Sequence, residues 1–381
     1  ITDIDDKIIK RALENGETIR HLTDRMIDAL HQDADALGIE RPQHEPRATD
    51  YVPQMLAMIG TLEQKGFAYR AGNGDVNYAV RKFPGYGKLS GKSLDELHAG
   101  ERVAVSTAEG GKNDPLDFVL WKSAKPTEPE DCKWDSPFGM GRPGWHIECS
   151  AMTYAAFGEN FDIHGGGLDL RFPHHENELA QSRAAGYGFA NYWMHNGLVT
   201  VSGQKMSKSL GNGVSVEEFF EQGSPAAVRY WLGSAHYRST LDYSPSAIVE
   251  AEAAVTRVHN YLTRNQASAG EVPAAFAEAM DSDFNVPAAL GVLHATIRSG
   301  NSGDSSAAPQ VAAMAAVLGI AAPTAEVSEE LAAKVEALLE ERKAARANKD
   351  FSRSDSIREE LNQLGVTIED TANGTTWSIN G

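Results

Sequence analysis

A chain of 381 residues, 41% of them hydrophobic, is long enough for two or three domains that each bury a core. Its formal net charge of −18 argues against indiscriminate nucleic-acid binding, because phosphate contact depends on clustered Lys and Arg, so an RNA partner would need a local basic patch. No apolar run approaches the roughly 18 residues that span a bilayer, and "ITDIDDKIIK" lacks the basic and apolar regions of a signal peptide; no membrane partner and a cytoplasmic location are expected.

Residues 1–39 space their apolar side chains three and four apart, which predicts helices with Thr2 or Asp3 as the cap. Between about Pro42 and Gly141 a further short helix precedes "GFAYRAGNGDVNYAV" and "DPLDFVLWKS". These predict a hairpin and a strand in what reads as an insertion. From Gly144 the order is a helix on "GWHIECSAMTYAAFG", a short strand on "NFDI", a glycine turn at "HGGG", a histidine-rich helix with Pro173 in its first turn, and a strand near "MHNGLVTV". Such alternation predicts an α/β layer with a mainly parallel sheet. "KMSKSLGN" is expected in a loop. After Ser244-Pro245, alanine-rich amphipathic patterns run to about Leu318, broken by "SGNSGDSSAAP", and predict a helical bundle. A final unit begins near Val327 with a charged helix and ends in the strand-like "GVTIED" and "GTTWSI".

The chemistry concentrates in three places. Residues four apart share a helix face, so His174 faces Glu178 and not Glu176, and Cys149 from "GWHIEC" is available as a third ligand. Cys, His and Glu together suit zinc and leave one tetrahedral position unfilled. The same residues also read as a buried helix cysteine and satisfied histidines. In "KMSKSLGN", Lys205 and Lys208 can offer two ammonium groups to phosphate oxygens, although the stretch also reads as a solvated loop. It is not a Walker loop, and "HGGGLDL" fails the dinucleotide pattern, but Gly165, Gly166 and Gly167 permit close approach to the backbone. Finally, Arg342, Arg346, Lys349 and Arg353 repeat at helical spacing. They predict one basic helix face, either solvated or set against an RNA backbone.

Taken in order, "TDIDDKI", "GRPGWHIECSAM", "DIHGGG", "FPHHENE" and "KMSKSLGN" resemble the cysteinyl-tRNA synthetases, a family of class I aminoacyl-tRNA synthetases, and the likeness runs from Ile1 to "GTTW". The resemblance implies an α/β fold: a Rossmann-like catalytic domain with an inserted α+β connective region, a helical bundle, and a small mixed α/β anticodon-binding domain. The expected division is 1–46 and 142–200 for the two catalytic halves, 47–141 for the insertion, 201–245 for the KMSKS loop and stem-contact region, 246–326 for the bundle and 327–381 for the anticodon-binding region. It implies one zinc ion at Cys149, His174 and Glu178, with ATP, Mg2+, L-cysteine and tRNA(Cys) as the other participants and a monomer as the working form. Thr2, Trp145, Asp169 and the Gly167-Leu168 backbone would line the cysteine end of the adenylate and Val199 would lie near adenine. Lys205 and Lys208 would serve catalysis, Lys208 at the leaving pyrophosphate. By their residues alone, Trp145 also reads as core packing, Asp169 as a helix cap, and Trp377 as either core or a base-stacking platform.

Two departures from the family are visible. Leu168 stands where members often carry serine. A further cysteine, the fourth zinc ligand, and a His-Ile-Gly-His signature for ATP phosphates belong upstream of "ITDIDD" and are not in this sequence, so the chain is expected to be N-terminally truncated. Two other readings stay open: the cysteine ligase of mycothiol synthesis, which lacks the anticodon domain, and a noncatalytic zinc-containing RNA-binding paralogue or fragment.

Overall fold

A computed structural model describes residues 1–92, 111–206, 211–321, 329–348, 350–364, 366–371 and 374–379. The chain forms two compact units, residues 1–225 with 235–247, and residues 226–234 with 248–381.

The first unit opens with α1 (Asp6–Asn15) and α2 (Ile19–Ala36). The cap of α1 is Asp5, whose carboxylate accepts from the Ile8 amide at 2.6 Å, and not Thr2 or Asp3 as expected. Those two side chains are committed elsewhere: Asp3 accepts from the amide and hydroxyl of Thr49, and the Thr2 hydroxyl donates to Glu148. Gly16 closes α1 at φ 69°, a conformation that favours glycine. Next come α3 (Val52–Gln64) and the expected hairpin, β1 (Ala68–Arg70) and β2 (Val76–Tyr78). β3 (Phe118–Ser123) and β4 (Gly141–Pro143) extend it into a four-stranded antiparallel sheet in the order 1-2-3-4. Met55, Ile59, Leu62, Tyr78, Leu120 and Trp121 pack between α3 and this sheet, each fully or almost fully buried.

The site-bearing layer follows: α4 (Trp145–Phe157), β5 (Phe161–Gly167), α5 (Glu176–Ala185) and β6 (Ala190–Asn196). β5 and β6 pair in parallel, with Gly165 opposite Met194, Gly166 opposite His195 and Gly167 opposite Asn196. "HGGG" is therefore the end of a strand and not the expected turn. The regular part of the histidine helix starts at Glu176, after a wide turn over Arg171–His175 in which Phe172 is extended, so Pro173 lies before the helix proper. β7 (Val199–Val201) pairs antiparallel with β8 (Gln204–Lys205) and parallel with β9 (Leu241–Tyr243). Between β8 and β9 lies α6 (Val216–Phe220), begun by a capping box of Ser215 and Glu218.

The second unit holds α7 (Pro225–Gly233), α8 (Pro245–Asn265), α9 (Ala274–Asp281), α10 (Val286–Asn301) and α11 (Ala307–Leu318). α8 begins at the anticipated proline, and the bundle closes around Val258, Tyr261, Leu293, Val311 and Met314. Beyond it, α12 (Glu329–Ala347) and α13 (Phe351–Gln363) pack on the hairpin of β10 (Val366–Thr371) and β11 (Gly374–Ile379) through Val335, Ile357, Leu361 and Val366. The predicted single basic face is not formed. The helix breaks before Asp350, which caps α13. Arg342 is 5% exposed, Arg353 lies on α13 paired with Glu341 and Glu360, and Lys349 is outside the described residues. Trp377 pairs through its backbone with Ile368. Among the described residues no helix is long and apolar enough to cross a membrane.

Candidate active site and metal centre

α4 and α5 run side by side and bring together what the sequence separates. A thiol from Cys149, a ring nitrogen of His174 and a carboxylate oxygen of Glu178 all lie within 4.8 Å of one another. His174 Nε2 is 3.0 Å from Glu178 Oε1, the predicted pairing across one helical turn. On the other side His164 Nε2, from β5, is 3.3 Å from Glu178 Oε2. Neither contact has hydrogen-bond alignment: both Glu178 oxygens are buried and lack a hydrogen-bond partner among the described residues. Lone pairs that converge in the interior without satisfying one another fit a cation, and the thiol, imidazole and carboxylate set fits zinc.

The electrostatics agree. Burial pushes the Glu178 carboxyl up, but the rings of His164 and His174 beside it outweigh that and hold it well below the usual carboxylate range. The Cys149 thiol is pushed up by burial and then by the carboxylates of Glu178 and Glu148, so it keeps its proton until a cation favours the thiolate.

A histidine cluster that the sequence reasoning missed surrounds this group. His146 Nδ1 lies 2.9 Å from His174 Nδ1, and His175 Nδ1 lies 2.9 Å from His195 Nε2. His146 falls to about 3 through burial and then the neighbouring His174, and His175 falls to about 4 chiefly through burial. Both are neutral at pH 7, so within each pair one ring donates and the other accepts. The bond at His174 Nδ1 leaves Nε2 as the atom turned toward Glu178. His164, His175 and Glu178 also bring their ligand atoms within 4.8 Å, which makes Glu178 the shared member of both groupings. Gly166 of β5 makes room for this cluster: a Cβ there would lie 2.8 Å from the His175 ring. The signal was present in the sequence, since "GWHIEC", "DIHGGG", "FPHH" and "MHNG" each bring histidine to one layer.

The remaining predicted residues divide. The Thr2 hydroxyl donates to Glu148 Oε2 at 3.0 Å, and Glu148, fully buried, is raised to about 8 by desolvation. Trp145 is 44% exposed and packs on His174 with ring centroids 4.2 Å apart and planes tilted by 30°, so it is not a core residue. Asp169 is not a helix cap; its Oδ2 accepts from Lys205 Nζ at 2.8 Å. Gly167 ends β5, the exposed Leu168 donates its amide to Asn196, and half-buried Val199 opens β7 and accepts from the Met206 amide. Lys208 lies outside the described residues.

Comparison with known proteins matches three family models in order along the chain. Residues 1–253 match the tRNA synthetases class I (C) catalytic domain, 275–323 a DALR domain, and 328–377 the cysteinyl-tRNA ligase anticodon binding domain. The cysteine–tRNA ligase of Acidovorax ebreus (strain TPSY) is 58% identical over 392 residues, covering 99% of this chain and 84% of its own length. That of Delftia acidovorans (strain DSM 14801 / SPH-1) is 56% identical over 391 residues with the same two coverages. Among solved structures, Mycobacterium tuberculosis methionyl-tRNA synthetase in complex with methionyl-adenylate is similar in fold, with a TM-score of 0.53 at 16% identity over 82% of this chain and 80% of that one. The α/β layer, the helical bundle and the terminal α/β unit are thus those of a class I synthetase, and the chain belongs to the cysteinyl-tRNA ligase family.

Proposed function

We propose that the protein activates L-cysteine with ATP and transfers the cysteinyl group to tRNA(Cys). The observation that carries this reading is the convergence of Cys149, His174 and Glu178 in a chain of this family. The cysteine carboxylate attacks the α-phosphate of Mg2+-bound ATP in line, breaking its bond to the β-phosphate bridging oxygen and releasing pyrophosphate. The terminal ribose hydroxyl of the tRNA then attacks the acyl carbon and AMP leaves with the bonding pair.

Each candidate residue has a task in that sequence. Trp145, packed on His174, forms a wall of the amino-acid site, and Thr2 presents its oxygen from the end anchored by Glu148. Asp169 supplies a carboxylate for the substrate ammonium, and its ion pair with Lys205 ties that position to the KMSKS segment. Gly167 and Leu168 offer backbone beside the adenylate and Val199 lies at the adenine. Lys208 supplies positive charge to the pyrophosphate as it leaves. Bound at Cys149, His174 and Glu178, zinc supplies affinity for a thiolate. That separates cysteine from serine, where a cavity alone discriminates near-isosteres by only about 1–3 kcal/mol.

In domain terms, residues 1–46 and 142–200 serve activation, 47–141 the insertion, 201–245 the loop and stem contact, 246–326 the bundle and 327–381 the anticodon, in a monomeric cytoplasmic enzyme. The match of residues 328–377 to an anticodon-binding domain favours tRNA over an amino sugar as acceptor. ATP-dependent charging of a tRNA(Cys) transcript with radiolabelled cysteine tests the reading. Cysteinyl-tRNA is expected; folded, zinc-loaded protein that binds the transcript but forms no ester would overturn it.

A further inference from the structure

The helix that carries Glu178 begins with a second buried glutamate that the chemistry above leaves unused. Side chains two residues apart on a helix diverge by about 200°, so Glu176 points away from the side that Glu178 serves. It is fully buried, and both its oxygens are taken by the backbone of one turn: Oε1 accepts from the Gly87 amide at 2.9 Å and Oε2 from the Ser90 amide at 2.8 Å. Next to it Asn177, also buried, accepts through Oδ1 from the Tyr86 hydroxyl at 2.5 Å.

The turn that supplies these donors follows β2 in the chain and is itself tightly closed. The Lys92 amide and the Ser90 hydroxyl both donate to the Gly87 carbonyl, at 3.0 and 3.2 Å, and Gly87 sits at φ 92°, where a Cβ would run into the Lys92 carbonyl. Tyr86 meets the Phe172 ring edge-on with centroids 6.4 Å apart, and the Lys92 ammonium lies 4.7 Å over the same ring. Residues 86–92 thus hold the chain on both sides of His174, at Phe172 two residues before it and at Glu176 two residues after.

His174 needs holding. It stands in the wide turn Arg171–His175, where Phe172 is extended and regular α5 has not begun, so the helix does not fix its backbone. The neighbouring His146 orients the ring but leaves the backbone to other contacts. Two buried amides bonded to one carboxylate are a strong tie, because loss of the acceptor strands both donors away from water. We infer that Glu176, Asn177 and Tyr86 are positioning residues of the metal centre: they lock the turn after β2 onto the start of α5, and the lock holds His174 Nε2 3.0 Å from Glu178. This inference rests on the metal centre proposed above and extends it to residues that touch neither the ion nor a substrate.

The test is the metal affinity of the full chain, read for Zn2+ by competition with a chromophoric chelator and for Co2+ by its ligand-field and thiolate charge-transfer absorption, which report geometry and the Cys149 bond. Loss of an outer partner costs about 10–100-fold in metal affinity. E176Q keeps one acceptor but turns an NH2 toward an amide donor, and is expected to weaken Zn2+ binding about tenfold or more and to shift the Co2+ ligand-field bands. Y86F removes only the hydroxyl; a loss of about fivefold, one ordinary hydrogen bond, is expected, and it keeps the test open should E176Q not fold. Leu120→Ala, which opens a cavity between α3 and the sheet, is the control: it lowers urea stability, but a chain that stays folded should keep its metal affinity and Co2+ spectrum. Unchanged affinity and spectrum in folded E176Q and Y86F, or an equal loss in Leu120→Ala, would overturn the lock while leaving the metal centre standing. Wild-type protein that binds neither metal would overturn both.

Discussion

His174 and Glu178 meet across one turn at the start of α5 with Nε2 3.0 Å from Oε1, yet the contact is not a hydrogen bond, and the Cys149 thiol closes on the same point from α4. Two buried groups held this close without a hydrogen bond between them, with a thiol beside them, suit a shared metal cation, which is the occupant we propose.

Removing any one of the three should therefore remove the metal. Cys149→Ser, His174→Ala and Glu178→Gln are each expected to lower zinc affinity by at least about 100-fold, more than loss of an outer partner usually costs. Zinc content after dialysis against a chelator measures this; stoichiometric zinc in any variant would contradict that residue's assignment. The raised Cys149 thiol adds a pH dependence with a defined sign. Zinc must displace the thiol proton, so affinity should fall about tenfold per unit as pH decreases through the neutral range.

The lysines of the KMSKS segment should act on rate and not on folding. Lys205 and Asp169 are each more than a third exposed, so Lys205→Ala is expected to change stability by less than about 1 kcal/mol. Lys208→Ala is expected to cut kcat for adenylate formation by about 100-fold while leaving the KM for cysteine near its original value. Parallel losses in binding and rate would instead assign Lys208 to substrate binding.

The order of elements was readable because its signals are local. Pro245 at the start of α8, Asn73-Gly74 between β1 and β2, and the four-residue spacing of His174 and Glu178 each act within a few residues. What escaped was set by distant partners. Thr2 and Asp3 have the chemistry of caps but bond Glu148 and Thr49, far along the chain. "HGGG" has the composition of a turn but extends a strand because β6 pairs with it and His175 needs the space above Gly166. The basic stripe failed at Asp350, whose side chain caps a new helix and so puts Arg353 on a different helix from Arg342. The histidine cluster is the clearest case, since its members are neighbours only once β5, α5 and β6 are layered.

The buried guanidinium of Arg142 predicts how the first unit responds to acid. It is 3% exposed in its side chain and pairs with Asp6 and with Glu128, the latter at 2.7 Å. Desolvation raises both carboxyls, but Lys122 and Arg142 outweigh it at Asp6, and the Lys125 amide and Arg142 outweigh it at Glu128, so both end below their ordinary values. Depressed carboxylates contribute stability that is present above the unfolded carboxyl range, about 4, and is lost as pH falls through their folded values. Arg142→Met, which leaves Glu128 with the Lys125 amide but no guanidinium, is expected to cost about 3 kcal/mol or less at pH 7 and to flatten the acid limb of stability. Urea denaturation at pH 7 and below pH 4 checks both; an unaltered acid limb would show that other groups control it.

The measurement that tests the central claim most directly is ATP–pyrophosphate exchange by the zinc-loaded chain, with cysteine, with serine and with no amino acid. On the proposed reading a thiolate-selecting metal centre at Cys149, His174 and Glu178 serves adenylate formation, so exchange should depend on cysteine and stay near background with serine. Equal exchange with serine, or none with cysteine in folded, zinc-loaded protein, would contradict the account.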